Sequence, residues 1–326
     1  MAARIPWTDD TEEETAVGRY ILRRLLQMIP VLIGTTFLIY AMNFALPGDP
    51  VAALGGDRPL PEQVQEQIRD RYNLDDPLLV QYAKYMGNVV QGDFGESLSV
   101  RRGQDVTAIV ADTWPVTVRL ALVAFVFEII IGLAAGVVAA LRRGSFLDNL
   151  VRGSTILLVS VPIFVTALVL QVAVGLRFDA IPVAGTQQGL VSYLLPGIAL
   201  ASVSLAYLAR LTRNSLMENL RADYVRTATA KGLPRRRVVG RHALRNSMIP
   251  VVTFLAFDLG VLLSGTIVTE GIFNLNGIGG IVFDAIRQQD GTVVVGIVTM
   301  FVLIYLFANL IVDIIYAALD PRIRYE

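Results

Sequence analysis

Cysteine is absent from all 326 residues, histidine occurs once, and only 17% of positions carry charge. The first absence excludes disulfides, thiol redox chemistry and thiolate metal sites. The lone His242 leaves no basis for a metal centre or a Ser/His hydrolytic pair, and its Arg-rich surroundings point to surface or interface duty. No G-x-x-x-x-G-K-[ST] pattern occurs, so the chain has no phosphate-cradling loop of its own. Charge this sparse, with 54% hydrophobic residues and a mean hydropathy of +0.57, excludes an ordinary soluble domain. A formal net charge of zero gives no reason to expect a nucleic-acid partner.

What is present in quantity is long apolar sequence. Six stretches, about 21–46, 116–141, 154–176, 193–211, 248–269 and 292–318, each supply the ~20 residues that cross ~30 Å of hydrocarbon. They predict an all-α membrane protein with six transmembrane helices. The first stretch is no cleaved leader on the usual pattern: it starts late, is long, and ends in Pro47-Gly48-Asp49-Pro50. With the N-terminus inside, 19 of the 28 Lys and Arg residues fall in cytoplasmic segments. The positive-inside rule therefore puts both termini in the cytoplasm. The zero net charge hides this asymmetry, because residues 47–115 hold eleven acids against six bases.

The expected organisation is a polar, acidic cytoplasmic arm (1–18), the first transmembrane helix (19–46), an external loop (47–115) and a five-helix core (116–326). In the external loop, Pro61 can open a helix bearing Val64, Ile68 and Tyr72. A second from Pro77 places Leu78, Tyr82, Tyr85, Met86 and Val89 on one side, until Gly92, Asp93, Gly95 and Ser97 end it. Such pieces would lie on the outer membrane surface or cap the bundle.

The cytoplasmic loop 212–247 is long, basic and sharply punctuated. Asp223 suits an N-cap, Tyr224 to Lys231 make two turns of helix, Lys231 suits the negative end of the dipole, and Gly232 suits the left-handed stop. Pro234 can open a second helix through Asn246, carrying Arg235, Arg236, Arg237, Arg241 and Arg245, with Pro250 near the start of the fifth span. The result is a short helix of ~12 Å lying across the bundle end, with Ala228 small enough to let it drop into a groove on a partner. Charge bias alone fills such a loop with arginine, but it explains neither the cap, the stop and the restart nor a span far longer than a tether.

Polar residues inside the spans come next. Glu128 and Asp258 cost ~2.5–3.5 kcal/mol each at a helix centre, so they should face the bundle interior, a pathway or a partner. Packing in a pair is the favoured reading, ahead of cargo contact or proton coupling. Ser202, Ser204, Tyr207 and Asp258 are candidates for a translocation path, while Asn309 and Asp313 are expected to bond a neighbouring helix. Gly132 and Gly136 have the small-xxx-small spacing of close helix packing.

These residues carry a resemblance. Arg226-Thr227-Ala228, Ala230-Lys231-Gly232-Leu233, His242 to Asn246 and Ile249 to Thr253 resemble the EAA-type loop of permease subunits in bacterial dipeptide/oligopeptide ABC importers. The same family is resembled by Arg23-Arg24-Leu25-Leu26 with Pro47-Gly48-Asp49-Pro50, by Leu74-Asp75-Asp76-Pro77 and Gln81-Tyr82, and by Gly92 to Ser97. Thr269-Glu270 with Phe273, and Ala318-Leu319-Asp320-Pro321-Arg322, extend the likeness from about residue 18 to the end. Arg226 replaces the glutamate of the general motif, the Gly232–Pro250 separation is longer, and Asn276-Gly277 stands where the family often has Pro-Gly.

The resemblance implies a B-type permease subunit with a type I importer transmembrane domain in the bacterial inner membrane. It also implies a paralogous permease partner, two ATPase subunits or domains that hold ATP and Mg, and an extracytoplasmic substrate-binding protein. No cofactor or metal is implied in this chain. The coupling contact to the ATPase would run through Asp223, Tyr224, Arg226, Thr227, Ala228, Ala230, Lys231, Gly232 and Leu233. Relatives with other cargo carry haem, nickel or oligosaccharides. A stand-alone secondary transporter would not need the punctuated loop, and a membrane-embedded enzyme would need a constellation of groups that is missing.

Overall fold

The computed structural model describes residues 10–44, 61–175, 177, 181–264 and 266–319. Among them no strand forms, and the one extended pairing is an isolated bridge between Glu96 and Asp105. In chain order the helices are α1 (Asp10–Phe44), α2 (Glu62–Tyr72), α3 (Leu78–Val90), α4 (Val106–Phe127), α5 (Leu133–Leu141), α6 (Phe146–Ser160) and α7 (Ile163–Gly175). They continue with α8 (Leu194–Asn219), α9 (Asp223–Ala230), α10 (Arg235–Arg237), α11 (Arg245–Ser264), α12 (Ile267–Phe273), α13 (Ile278–Arg287) and α14 (Gly291–Leu319). Two π-helical turns, Glu128–Gly132 and Val238–Leu244, run α4 into α5 and α10 into α11.

Among the described residues, four continuous helices are long and apolar enough to span a membrane: Arg23–Phe44, Val106–Leu141, Gly189–Asn219 and Arg235–Leu263. The expected span at 154–176 is not one rod, because α6 and α7 meet at 108°. Pro162 stands at the break and lacks an N–H, and it forces Val161 out of the helical region to φ −95°, ψ 125°. Counted as one bent span, the pair makes five. α14 runs through the sixth stretch, with Gly291–Phe307 as its apolar run. The second helix expected to end at Asn246 does not end there but continues through the π turn into α11. α1 starts at Asp10, within the stretch expected to be a polar arm, and Pro47 to Pro50 lie outside the described residues.

The chain forms two compact units, residues 1–107 with 288–326, and residues 108–287. In the first, α1 packs along α14, and the apolar side of α3 closes on α1. Tyr40, Tyr82 and Val295 form the centre, flanked by Phe37, Leu78, Tyr85 and Met86. This is the α3 face expected from the sequence, packed on α1. Pro61 and Pro77 precede the two helices as predicted, and Gly92 and Gly95 take φ of +86° and +92°. Beyond them, the buried Asp290 carboxylate gathers the loop: its Oδ2 accepts from Ser97 Oγ (2.8 Å), Leu98 N (3.0 Å), Ser99 N (2.9 Å) and Val100 N (3.2 Å). Its Oδ1 accepts from Val293 N at 3.3 Å, so the same side chain caps α14.

The second unit is built around α8, against which α5, α6, α7, α11 and the Glu128–Gly132 turn all pack. Close approach is possible because the buried face of α8 is largely small: Gly197, Ala199, Ala201, Ser202, Ala206, Ala209 and Thr212. Gly132 and Gly136 meet it as their spacing predicts. A Cβ on Gly136 would lie 2.6 Å from the carbonyl oxygen of Ala209 and 2.6 Å from Thr212 Cβ. Neither neighbour is a flexible chain end, so Gly136→Val must push two backbones apart. We expect a loss of ~1–3 kcal/mol or more, read as a lower thermal midpoint of the detergent-solubilised protein. Gly153→Val, where a Cβ meets nothing, should leave the midpoint unchanged.

Candidate functional site

α9 carries most of the residues singled out in the sequence for the coupling contact. Asp223 is not its N-cap: that place is held by Ala222, whose φ of −66° and ψ of 150° turn the chain out of α8 with no side-chain cap. Asp223 is instead the first helical residue, where its charge still suits the positive end of the dipole. Its contact with Arg226, at 3.4 Å with both side chains mostly exposed, contributes little. The stop is as expected. Gly232 takes φ +76°, its N–H donates to Thr229 O (2.9 Å), and Leu233 N donates to Ala228 O (3.3 Å). That pair of bonds is a Schellman motif, which only a left-handed C′ residue completes. Pro234 then restarts the chain at α10.

The helix has two faces. Val225 and Ala228 are buried with Ala140, Leu216, Val238 and Ala243, and Leu233 packs beside them. Ala228 is thus directed into its own chain rather than outward, and its small size lets α9 lie close against the Val238–Leu244 turn, with Leu216 of α8 in the same cluster. The outward face is Asp223, Tyr224, Arg226, Thr227, Thr229, Ala230, Lys231 and Gly232. The Tyr224 hydroxyl donates to Asn219 Oδ1, tying this face back to the end of α8. His242 is half-buried in the π turn.

A second anchor lies at the same end of α8. Arg213 donates from Nε to Asp148 Oδ1 (2.6 Å) and from Nη2 to Oδ2 (2.9 Å), while Gly144 N donates to Oδ2 (2.9 Å). Ser145 caps α6. The Arg213 guanidinium, helped by the Gly144 amide, is the counter-charge of the buried Asp148 carboxylate. Arg213→Ala therefore strands a buried charge and should cost ~3–5 kcal/mol of stability at neutral pH. The deficit is read as a lower thermal midpoint of the detergent-solubilised protein.

Of the candidate path residues, the structure joins some and separates others. Glu128 and Asp258, both buried, lie side by side, and Ser204 Oγ donates to Asp258 Oδ1 at 3.0 Å. Ser202 instead bonds its own helix at Ala199 O (2.7 Å). Tyr207 is on the open face of α8, with the Arg210 guanidinium 4.8 Å above its ring. Asn309 is half-buried on α14, and the Asp313 side chain lies outside the described residues.

Three polar anchors were not assigned roles from sequence: Asp290, the Asp148–Arg213 pair and Glu270. Glu270 is fully buried, with Oε1 accepting from Thr117 Oγ1 (2.8 Å) and Oε2 from Gly280 N (2.9 Å), while Thr117 Oγ1 accepts from Ile278 N (2.9 Å). Its carboxylate occupies the space where a Cβ on Gly277 would go, so that glycine is required by contact. Asn276, in the place where the family often has proline, is exposed and meets no such constraint. Ser145-x-x-Asp148 at a helix start and Asp290 directly before an apolar run were the legible signals.

With this geometry in place, comparison assigns the class. Residues 132–325 match the family described as binding-protein-dependent transport system inner membrane component, and residues 17–121 match its N-terminal counterpart. The di/tripeptide transport system permease protein DppB of Pseudomonas aeruginosa is 39% identical over 336 residues, covering 94% of this chain and 99% of that protein. The dipeptide permease DppB of Alkalihalophilus pseudofirmus is 35% identical, and the glutathione permease GsiC of Escherichia coli K12 is 37% identical, with the same coverage. A chain of the inward-facing MetNI methionine ABC transporter aligns with a TM-score of 0.49 at 19% identity, over 64% of this chain and 96% of that one, too distant to add to the assignment. The chain belongs to the family of binding-protein-dependent transport system inner membrane components. It is a multi-pass inner-membrane transport permease.

Proposed function

We propose that this chain is one of two paralogous permease subunits of an ATP-driven importer of short peptides. Six spans with both termini in the cytoplasm make half of the pathway, and the bent α6–α7 pair counts as one of them. Two ATPase subunits or domains, which hold ATP and Mg, grip the outward face of α9. An extracytoplasmic binding protein delivers cargo to the side bearing α2 and α3. The carrying observation is α9 itself: a helix closed by a Schellman stop, seated on the Val238–Leu244 turn and sharing an apolar cluster with Leu216 of α8 through Val225 and Ala228, with eight residues left open. Because the buried side is seated on the Val238–Leu244 turn, which runs into α11 and packs on α8, a push on the open side is transmitted to the spans instead of bending a loop. Short-peptide cargo is favoured by the relatives, whose names specify di- and tripeptides, dipeptides and glutathione.

The test is reconstitution of the complete assembly in vesicles. Uptake of a labelled dipeptide should require ATP, the binding protein and the co-purifying ATPase pair. Uptake by this chain alone would overturn the reading.

A further inference from the structure

The first unit holds a cavity of about 160 Å³ that nothing above uses. It lies where the end of α1, the C-terminal end of α2, α3 and the start of α14 converge on the 93–96 turn. Its size is far below the ~300 Å³ at which drug-sized sites begin, so it takes a small group. One wall is aromatic: Tyr40 lies 4.7 Å from Phe44 and 5.3 Å from Tyr85, centroid to centroid.

The charges on the lining do not cancel. Arg71 is spent on Glu96 at 2.7 Å, and Lys84 on Asp76 at 2.6 Å. Asp93 and Asp105 remain, and among the described residues no cation lies within ion-pair distance of either. The Asp93 carboxylate is fixed, its Oδ1 accepting from Gly95 N at 2.8 Å, and the Asp105 backbone is held in the bridge with Glu96, beside Val106 N donating to Gly95 O at 2.9 Å. A separate observation points the same way. Thr292 is 6% exposed and lines the cavity, yet its hydroxyl has no partner at hydrogen-bond distance and lies beside that of Tyr72. Burial holds the Tyr72 and Tyr85 hydroxyls above the usual tyrosine range, so both rings stay neutral at any physiological pH. Two free carboxylates, neutral aromatic faces and an unspent hydroxyl together form a receptor for a primary ammonium group.

We propose that this cavity binds the ammonium end of a small amine-bearing ligand, either the amino terminus of a short peptide or a free amino acid. Asp93 and Asp105 supply the charge, the Tyr40–Phe44–Tyr85 wall supplies cation–π contact, and Thr292 supplies a hydrogen bond. The proposal extends the peptide-import reading, because it places an amine-selective subsite on the permease itself, apart from any binding protein.

Equilibrium binding of radiolabelled Ala-Ala, alanine and N-acetyl-Ala-Ala to the complete assembly in nanodiscs, without the binding protein, tests it. Saturable binding is expected for at least one amine-bearing probe, and the acetylated peptide should not compete. The double variant Asp93→Asn with Asp105→Asn should bind about tenfold more weakly or worse. Both side chains are exposed and isosteric on substitution, and an unchanged thermal midpoint shows that the fold is kept. Ala-Ala binding alone identifies the cargo as the ligand, and equal binding of alanine identifies free amino acids. Absence of saturable binding, effective competition by the acetylated peptide, or unchanged affinity in the double variant would each overturn the site. ATP-driven uptake with the binding protein, measured in parallel, reports separately on the peptide-import reading.

Discussion

Gly232→Glu is expected to cut ATP-dependent uptake by about tenfold or more, while ATP hydrolysis continues and the chain still inserts. Gly232 holds φ +76°, a conformation that costs a residue with a Cβ ~1–2 kcal/mol, and ~1.4 kcal/mol is a factor of ten in an equilibrium. Relief of that strain would rotate the N–H groups of Gly232 and Leu233 away from Thr229 O and Ala228 O, so the end of α9 unwinds. The new anion also stands on the open face beside Lys231. Nothing lies within 4 Å of a Cβ placed here, so packing is not disturbed and any effect must come through backbone and charge. Gly232→Asn separates the two causes, because asparagine tolerates the left-handed region and brings no charge. Its uptake should fall only slightly. Uptake and ATPase rates measured together on vesicles decide the matter: wild-type uptake by Gly232→Glu would remove α9 from the coupling contact.

Asp290→Ala should release the loop that follows α3. One carboxylate oxygen serves the Ser97 hydroxyl and the amides of Leu98, Ser99 and Val100, all in or near the buried region. Each buried donor stranded costs ~1–3 kcal/mol unless water enters, so the loop is expected to open rather than stay in place unsatisfied. Arg101 and Arg102 are next in sequence and provide the readout. Limited trypsin digestion, followed by mapping of the fragments, should show cleavage there many times faster than in the wild type. Asp290→Asn keeps one acceptor oxygen and should give an intermediate rate. Equal cleavage of all three proteins would mean that the carboxylate does not hold the loop. Because Asp93 and Asp105 flank this same segment, the Asp290→Ala variant is also expected to lose the small amine site.

Which features were legible in the sequence follows from how local their causes are. Pro61, Pro77, Pro234 and Gly232 act on the backbone at their own positions, and each turns the chain where its chemistry requires. Gly132 and Gly136 were readable for a similar reason: a missing side chain permits close packing whichever helix comes to meet it. The break at Pro162 was hidden inside a stretch identified by hydropathy, which measures transfer into hydrocarbon and is blind to a missing backbone N–H. The two π turns have no sequence signal of their own. Asp223 was assigned one place too early because whether a residue caps or begins a helix depends on how the preceding turn leaves α8.

Composition and local punctuation therefore determined that this is a helical membrane protein with a stopped, restarted basic segment between two apolar stretches, and the motif resemblance added the permease family. Partition energy and backbone preference are properties of a stretch taken by itself. Only the tertiary structure decided that Ala228 is directed inward, that Ser202 bonds its own helix, and which donors Asp148, Glu270 and Asp290 collect. Those partners stand 65, 153 and 193 residues away along the chain. A buried carboxylate must find its donors wherever folding places them, and no reading of neighbouring residues contains that placement.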